Sequence, residues 1–457
     1  MTDRRSFLKT AAASSVALAA GPAFGAGEDW KARAQDVKGE MAFAWAGYAE
    51  RCFGADQIKP VSGQGESFFF ENGPSIGLTI VEALDTLYLT GLDRELEQGV
   101  RWICDHLSFD LDRDIQLFEC NIRLVGGLLS GYLATKEKRL LALAKDLADR
   151  LLPAFKTRTG LPYRFVNLKT GAARDGVTYP AEFGTFIAEF GILSRLTNER
   201  RYHDLAKASA KAGFDRRSKI DLVADAIDVQ TGEWKSRRAT IGPPSDSYFE
   251  YLWDGWQLFE DRDFKRWYDT HTAAILKHQA ERVGGRLWFR QVDFETGALI
   301  DRHQSELASF YAGLLAQGGA MAEGRDYLAS WTEVLDRYPV LPEGYDFGKG
   351  APDRVTNDLR PEYVDSCLNL WLLDQDDQWR RLAWKHYEAM KRTSRAKWGY
   401  AAIADVIRSP MPQSDSCPAY WWSEQMKYYW LLFSGTDRFD YRHNYLSTEG
   451  NVLAGLK

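Results

Sequence analysis

The 457-residue chain is poor in the residues that build metal clusters and redox centres. Its five cysteines (Cys52, Cys104, Cys120, Cys367 and Cys417) include no C-x-x-C pair, so zinc-ribbon and thioredoxin-type chemistry are excluded. An odd number leaves at least one thiol unpaired in a monomer. Cys120 and Cys367 lie in apolar helical runs and read as small core residues. The seven histidines show no metal-ligand spacing. No basic block accompanies the net charge of -6, which argues against nucleic-acid partners and anionic membrane surfaces. No apolar run is long enough to span a bilayer, so no membrane insertion is expected. Gly73–Gly77 matches G-x-S-x-G, but Pro74 and the missing strand before it exclude a nucleophile elbow. "DLDRD" at 110–114 begins like an EF-hand loop. Ile115 and Asn121 then replace its required Gly and Glu, and that reading fails too.

What is present begins with an address. Residues 1–26 carry Arg4-Arg5, then Ser6-Phe7-Leu8-Lys9, a short run of small apolar residues and an A-x-G cleavage point. They read as a twin-arginine-type export signal, predicting an exported, periplasmic protein whose mature part is a single domain, 27–457. Within that part, "KRLLALAKDLADRLLPAF", "FGTFIAEFGILSRL", "SYFEYLWDGWQLF" and "ELASFYAGLLAQGGAMA" place apolar residues at three-to-four spacing, the mark of helices. Short β-like stretches, "LPYRFVNL" and "RLWFRQV", fall in the connections. Aromatics are abundant, with 16 Trp, 21 Tyr and 24 Phe. Such rings serve both cores and sugar platforms, and composition does not separate the two uses.

Spacing says more. Acidic residues open aromatic-rich apolar runs at Glu119, Glu182, Asp246, Glu306, Glu362 and Glu424, at intervals of 63, 64, 60, 56 and 62 residues. Asp85 opens an earlier run. Each interval has room for a second, amphipathic helix. A repeat of two helices, one buried and one half-exposed, predicts a closed toroid of helical hairpins. If the inner helices start at one end, the acids converge on one funnel. Clustered carboxylates repel, so a cation or polar ligand is expected among them.

Seven stretches, in order, carry a resemblance: "VEALDTLYLTGL", "FECNIRLVGGLLSGY", "AEFGTFIAEFGILSRLT", "GPPSDSYFEYL", "LRPEYVDSCLNLW", "SEQMKYYWLLFS" and "YLSTEG". The chain resembles the class I α-mannosidases, glycoside hydrolase family 47, over nearly all of its mature length. The resemblance implies an all-α (α/α)7 barrel. It also implies Ca²⁺-dependent, exo-acting hydrolysis of terminal α-1,2-linked mannose with inversion, acting on mannose-containing oligosaccharides. The alternative is a mannoside-binding, lectin-like barrel with weak or no catalysis. Survival of all three carboxylates discriminates against it.

Carried over motif by motif, Glu119 corresponds to the general acid and Glu362 to the general base. Asp246 matches a third carboxylate that relays a proton or orients water. Arg123, Glu182, Glu306, Arg360, Tyr420 and Glu424 are expected to bind substrate. By resemblance Ca²⁺ sits at the barrel floor on Thr448, through hydroxyl and carbonyl oxygens. Its waters would be oriented by Glu182, Glu424 and Glu449, an arrangement suited to a hard cation. Asp85 is expected to support a helix end. Nothing in the chain calls for an oligomer, and a monomer is expected.

Two departures from the family pattern stand out. Where the family shows a His–Leu–x–Cys–Phe block, this chain has "ELASF", with Glu306 for the histidine and Ser309 for the cysteine, so the bridge made by that cysteine should be missing. The closing "TEGN" replaces the usual "TEAH".

Overall fold

The computed structural model describes residues 28–71 and 73–457; the export signal read at 1–26 lies outside them. Helices dominate and alternate in character. The first, α1 (Trp30–Cys52), is followed by α2 (Leu78–Thr90), α3 (Asp93–His106), α4 (Gly126–Thr135), α5 (Lys138–Leu151), α6 (Ile187–Thr197) and α7 (Arg201–Phe214). Then come α8 (Asp246–Phe259), α9 (Arg262–His278), α10 (Tyr311–Gln317), α11 (Met321–Arg337), α12 (Glu362–Asp374), α13 (Asp377–Ser394) and α14 (Met426–Ser434).

Even-numbered helices form the inner ring, each packed on the next, with α14 returning to α2. Two of them are buried on nearly every side: all of α2 except Tyr88, and all of α14 except Ser434. A helix without a polar face has to be enclosed by others. Odd-numbered helices form the outer ring, and α1 closes it by packing on α14. In α5 the buried residues Leu140, Ala144, Leu147, Ala148 and Leu151 recur at helical spacing, one stripe facing inward. This is the (α/α)7 barrel that the spacing and the resemblance predict.

The two ends of the barrel differ for a local reason. Most inner helices stop on a residue in the left-handed region: Gly91, Lys136, Asn198, Glu260 and Gln375 turn the chain sharply into the next outer helix, and Gly435 turns it toward the final hairpin. Asp261 and Asp376 follow at once as N-caps, accepting the amides of Asp263 and Gln378. At the other end, long returns from outer to inner helices carry small antiparallel sheets of two or three strands. Phe165–Asn167 and Arg286–Phe289, in the stretches read as β-like, are among them. The starts of the inner helices, and so the acids, lie at this loop-rich end.

Periodicity overran some boundaries. The run "FGTFIAEFGILSRL" breaks into a turn at Pro180–Gly184 and α6, and "ELASFYAGLLAQGGAMA" into a 3-10 turn at Glu306–Phe310, α10 and the start of α11. The helix expected from Cys120 starts with a π-helical turn, Cys120–Val125, and a second π turn, Trp421–Gln425, precedes α14. Such turns recur at functional sites, where they re-aim side chains. All five cysteines are free thiols, with Cys120 and Cys367 fully buried.

A last hairpin, Tyr445–Leu446 paired with Val452–Ala454, lies within the ring against α4 and α6. Gly126 makes room for it, and Gly127 lets α4 approach α2 closely. A Cβ on Gly126 would stand 2.5 Å from Asn451 Nδ2, and one on Gly127 would stand 2.9 Å from the Val81 carbonyl oxygen. Asp85 does not support a helix end, because α2 begins seven residues earlier, at Leu78. It is buried mid-helix instead. One oxygen accepts the Val452 amide (2.8 Å) and the other pairs with the wholly buried Lys427 (2.8 Å). Lys427 in turn donates to the Gly450 carbonyl, so this pair anchors the hairpin whose tip carries Thr448 and Glu449.

Candidate active site

A cavity of about 330 Å³ opens at the loop-rich end and reaches down to the hairpin tip. Glu119, Asp246 and Glu362 all line it, as do Arg123, Glu182, Arg360, Tyr420, Glu424, Thr448 and Glu449. Of the residues expected at the site, only Glu306 does not reach the cavity. It is buried behind the wall.

The three catalytic candidates arrive on different elements. Glu119 ends the turn before the first π segment; its amide donates to Gln116 Oε1 (2.8 Å), and its Oε2 accepts Arg123 Nε (2.7 Å). Asp246 and Glu362 are the first residues of α8 and α12, where helix dipoles favour negative charge. Burial outweighs that advantage for Asp246. Its pKa is pushed up to about 7 by desolvation, with Glu362 and Glu119 adding repulsion. Burial likewise raises Glu362, although the nearby Arg360 opposes the rise. The mutual influence places all three carboxyls around one volume.

Arg123 holds the wall to the floor. Beyond Glu119, its Nη1 reaches Glu82 (3.0 Å) and Glu449 at the hairpin tip, and its guanidinium lies under the rings of Phe68 (5.1 Å) and Tyr420 (5.7 Å). Glu82 and Glu449 are both raised, chiefly by burial, against the attraction of Arg123. One cation among three carboxylates leaves the group short of positive charge. Arg360 offers its Nε to both oxygens of the buried Glu343 (3.1 Å each) and faces the Tyr420 ring at 5.2 Å. Glu182 accepts bonds from Gln116 Nε2 (2.9 Å) and Arg164 Nε (2.7 Å).

Several cavity residues escaped the sequence reading. Glu250 stands one turn after Asp246, and Asp365 three residues after Glu362, so each shares a helix face with an acid already singled out. That spacing was the available signal. Glu82 and Glu343, which stand behind the cavity wall as partners of Arg123 and Arg360, left none.

The floor suits a hard cation. Glu250 and Asp365 line the cavity with Thr448, and burial raises both carboxyls, Glu362 adding repulsion at Asp365. Among the described residues no three acidic, histidine or cysteine side chains converge as a direct ligand set. A floor of neutral Thr448 oxygens backed by acids, all oxygen and no sulfur, fits Ca²⁺ with water in its inner shell.

A carboxylate-lined pocket inside an (α/α)7 barrel supplies the facing acids that a glycoside hydrolase needs. The chain matches the family described as glycosyl hydrolase family 47 over residues 40–455. It is 32% identical over 454 residues to mouse mannosyl-oligosaccharide 1,2-alpha-mannosidase IB, covering 93% of this chain and 70% of that one. It is also 32% identical over 433 residues to the human ER degradation-enhancing alpha-mannosidase-like protein 2 (91% and 73% covered). An alpha-1,2-mannosidase from Trichoderma reesei superposes with a TM-score of 0.84 at 23% identity, over 93% of this chain and 99% of that one. This chain belongs to glycosyl hydrolase family 47.

Proposed function

We propose that the chain is an exo-acting, calcium-dependent α-1,2-mannosidase that inverts the anomeric centre, exported by the signal at 1–26. The observation that carries this reading is the meeting of Glu119, Asp246 and Glu362 around one pocket closed below by the Thr448 hairpin. A blind pocket admits a chain end, which favours exo action on terminal mannose.

Inversion needs an acid on one side of the sugar and a carboxylate-activated water on the other, with the two carboxyls about 6.5–9.5 Å apart. Glu362 takes a proton from water as that water attacks the anomeric carbon. Glu119, on the opposite wall, protonates the departing oxygen. Asp246 lies between their influences, and its pKa, pushed up to about 7 by burial, suits it to relaying a proton or orienting the water. Arg123 holds Glu119 at its post, and Tyr420 presents a ring face to the sugar. Thr448 would hold Ca²⁺ through its hydroxyl and carbonyl, with Glu182, Glu424 and Glu449 orienting its waters. When bound, the ion supplies ligand positions for sugar hydroxyls and so helps to fix the ring.

Proton NMR of α-1,2-mannobiose hydrolysis, with calcium and with a chelator, tests the scheme. β-Mannose should appear first, and the chelator should stop it. α-Mannose appearing first removes inversion, and binding without cleavage favours a lectin. In Thr448→Ala, calcium affinity by titration calorimetry should fall at least tenfold, about 1.4 kcal/mol. Unaltered affinity would move the ion elsewhere.

A further inference from the structure

Glu306 is the acid the cavity does not reach. It opens the 3-10 turn Glu306–Phe310, is 1% exposed, and its amide donates to the Glu343 carbonyl (3.0 Å). Its Oε1 accepts a long bond from the Ser309 hydroxyl (3.4 Å), while its Oε2 is buried with no donor. Oε2 of Glu362 is also buried without a donor, and the turn that carries Glu306 packs directly on α12, whose first residue is Glu362.

Two carboxylates so placed in a dry wall do not both ionise unless a cation compensates them. The acids around the pair are Glu343 beside Glu306, and Asp246, Asp365 and Glu424 beside Glu362; Tyr327 and Tyr429 face Glu306 from α11 and α14. Arg360 is the cation that acts on both, and its Nε is taken up by Glu343. Positive charge for a second carboxylate is therefore lacking.

We propose that Glu306 carries a proton and donates it in a hydrogen bond to Glu362, making Glu306 a positioning residue that holds the base ionised and aimed at the cavity. One proton supplies the donor that both orphaned oxygens lack. A donor to the charged form of Glu362 favours that form, so Glu362 stays a working base to lower pH than burial alone allows. The consequence for catalysis rests on Glu362 being the base; the shared proton does not.

The test compares the calcium-loaded full-length enzyme with Glu306→Gln and Glu306→Leu. Infrared difference spectra at neutral pH read the proton directly: the wild type should show a protonated-carboxyl band that Glu306→Gln lacks. Profiles of kcat/KM against pH on α-1,2-mannobiose read the consequence. Glutamine, whose amide still donates, should keep the acid limb in place. Leucine should raise that limb by about one pH unit and lower kcat about tenfold, with KM little changed. Absence of the band overturns the shared proton, even if Leu fails to fold. A band with an unmoved limb in folded Leu overturns the positioning role. Full activity in Glu362→Gln would sink the base assignment while leaving the band as found.

Discussion

Glu362→Gln is expected to lower kcat by about 10²–10⁴-fold, the range for a general base, with the KM for α-1,2-mannobiose changed little. The substitution keeps the shape of the side chain and its place at the head of α12, so the pocket should persist. What it loses is the oxygen that takes the proton of the attacking water. Because water activation is needed only in the transition state, the loss should fall on kcat. Steady-state kinetics with calcium saturating decides the matter. A variant retaining a tenth or more of wild-type turnover removes Glu362 as the base and leaves Asp246 to be tested in its place.

Arg123→Met should produce the largest loss of stability. The guanidinium serves Glu119, Glu82 and Glu449 at once and is 8% exposed. Methionine fills much of the space but leaves Glu82 and Glu449 buried without a cation. Breaking a buried pair from one side costs about 3–5 kcal/mol. The pH dependence follows from the sign of the shifts. Both acids already have folded-state pKa values raised by burial, and removing Arg123 raises them further. Groups raised on folding add stability below their unfolded pKa and lose it as pH climbs through the folded value. The gap between variant and wild type should therefore widen between a pH in the ordinary carboxylate range and an alkaline one. Urea unfolding at both pH values measures it. A gap that stays constant would show that the arginine acts by packing alone.

The two predictions depend on features that differ in how readily the sequence reveals them. The place of Glu362, first in a buried helix and in step with its counterparts at roughly 60-residue intervals, is readable because helix periodicity and a first-turn acid are local. The same holds for Asp246 and, through their motifs, for Glu119 and Thr448. The triple attachment of Arg123 is not local. Glu82 and Glu449 lie 41 and 326 residues away in sequence, and no spacing rule joins them. Asp85 shows the limit from the other direction. The sequence suggests a helix-end role, whereas the fold buries it mid-helix, where it grips the final hairpin and Lys427.

Apart from the roles of Glu119, Asp246 and Glu362, which the family resemblance implies, sequence by itself determined the all-helical class, the inner and outer alternation and the acids that open the inner helices. Those follow from periodicity and from residues adjacent in the chain. Only the tertiary structure decided which carboxyls face the cavity and which stand behind it, and that Glu306 adjoins Glu362 and not the substrate space. It also revealed the π turns that re-aim the chain at Glu119 and Glu424. The physical reason is that burial, orphaned oxygens and shared protons depend on what closes over a side chain. In a closed barrel those neighbours come from other hairpins, and for Arg123 from both ends of the chain.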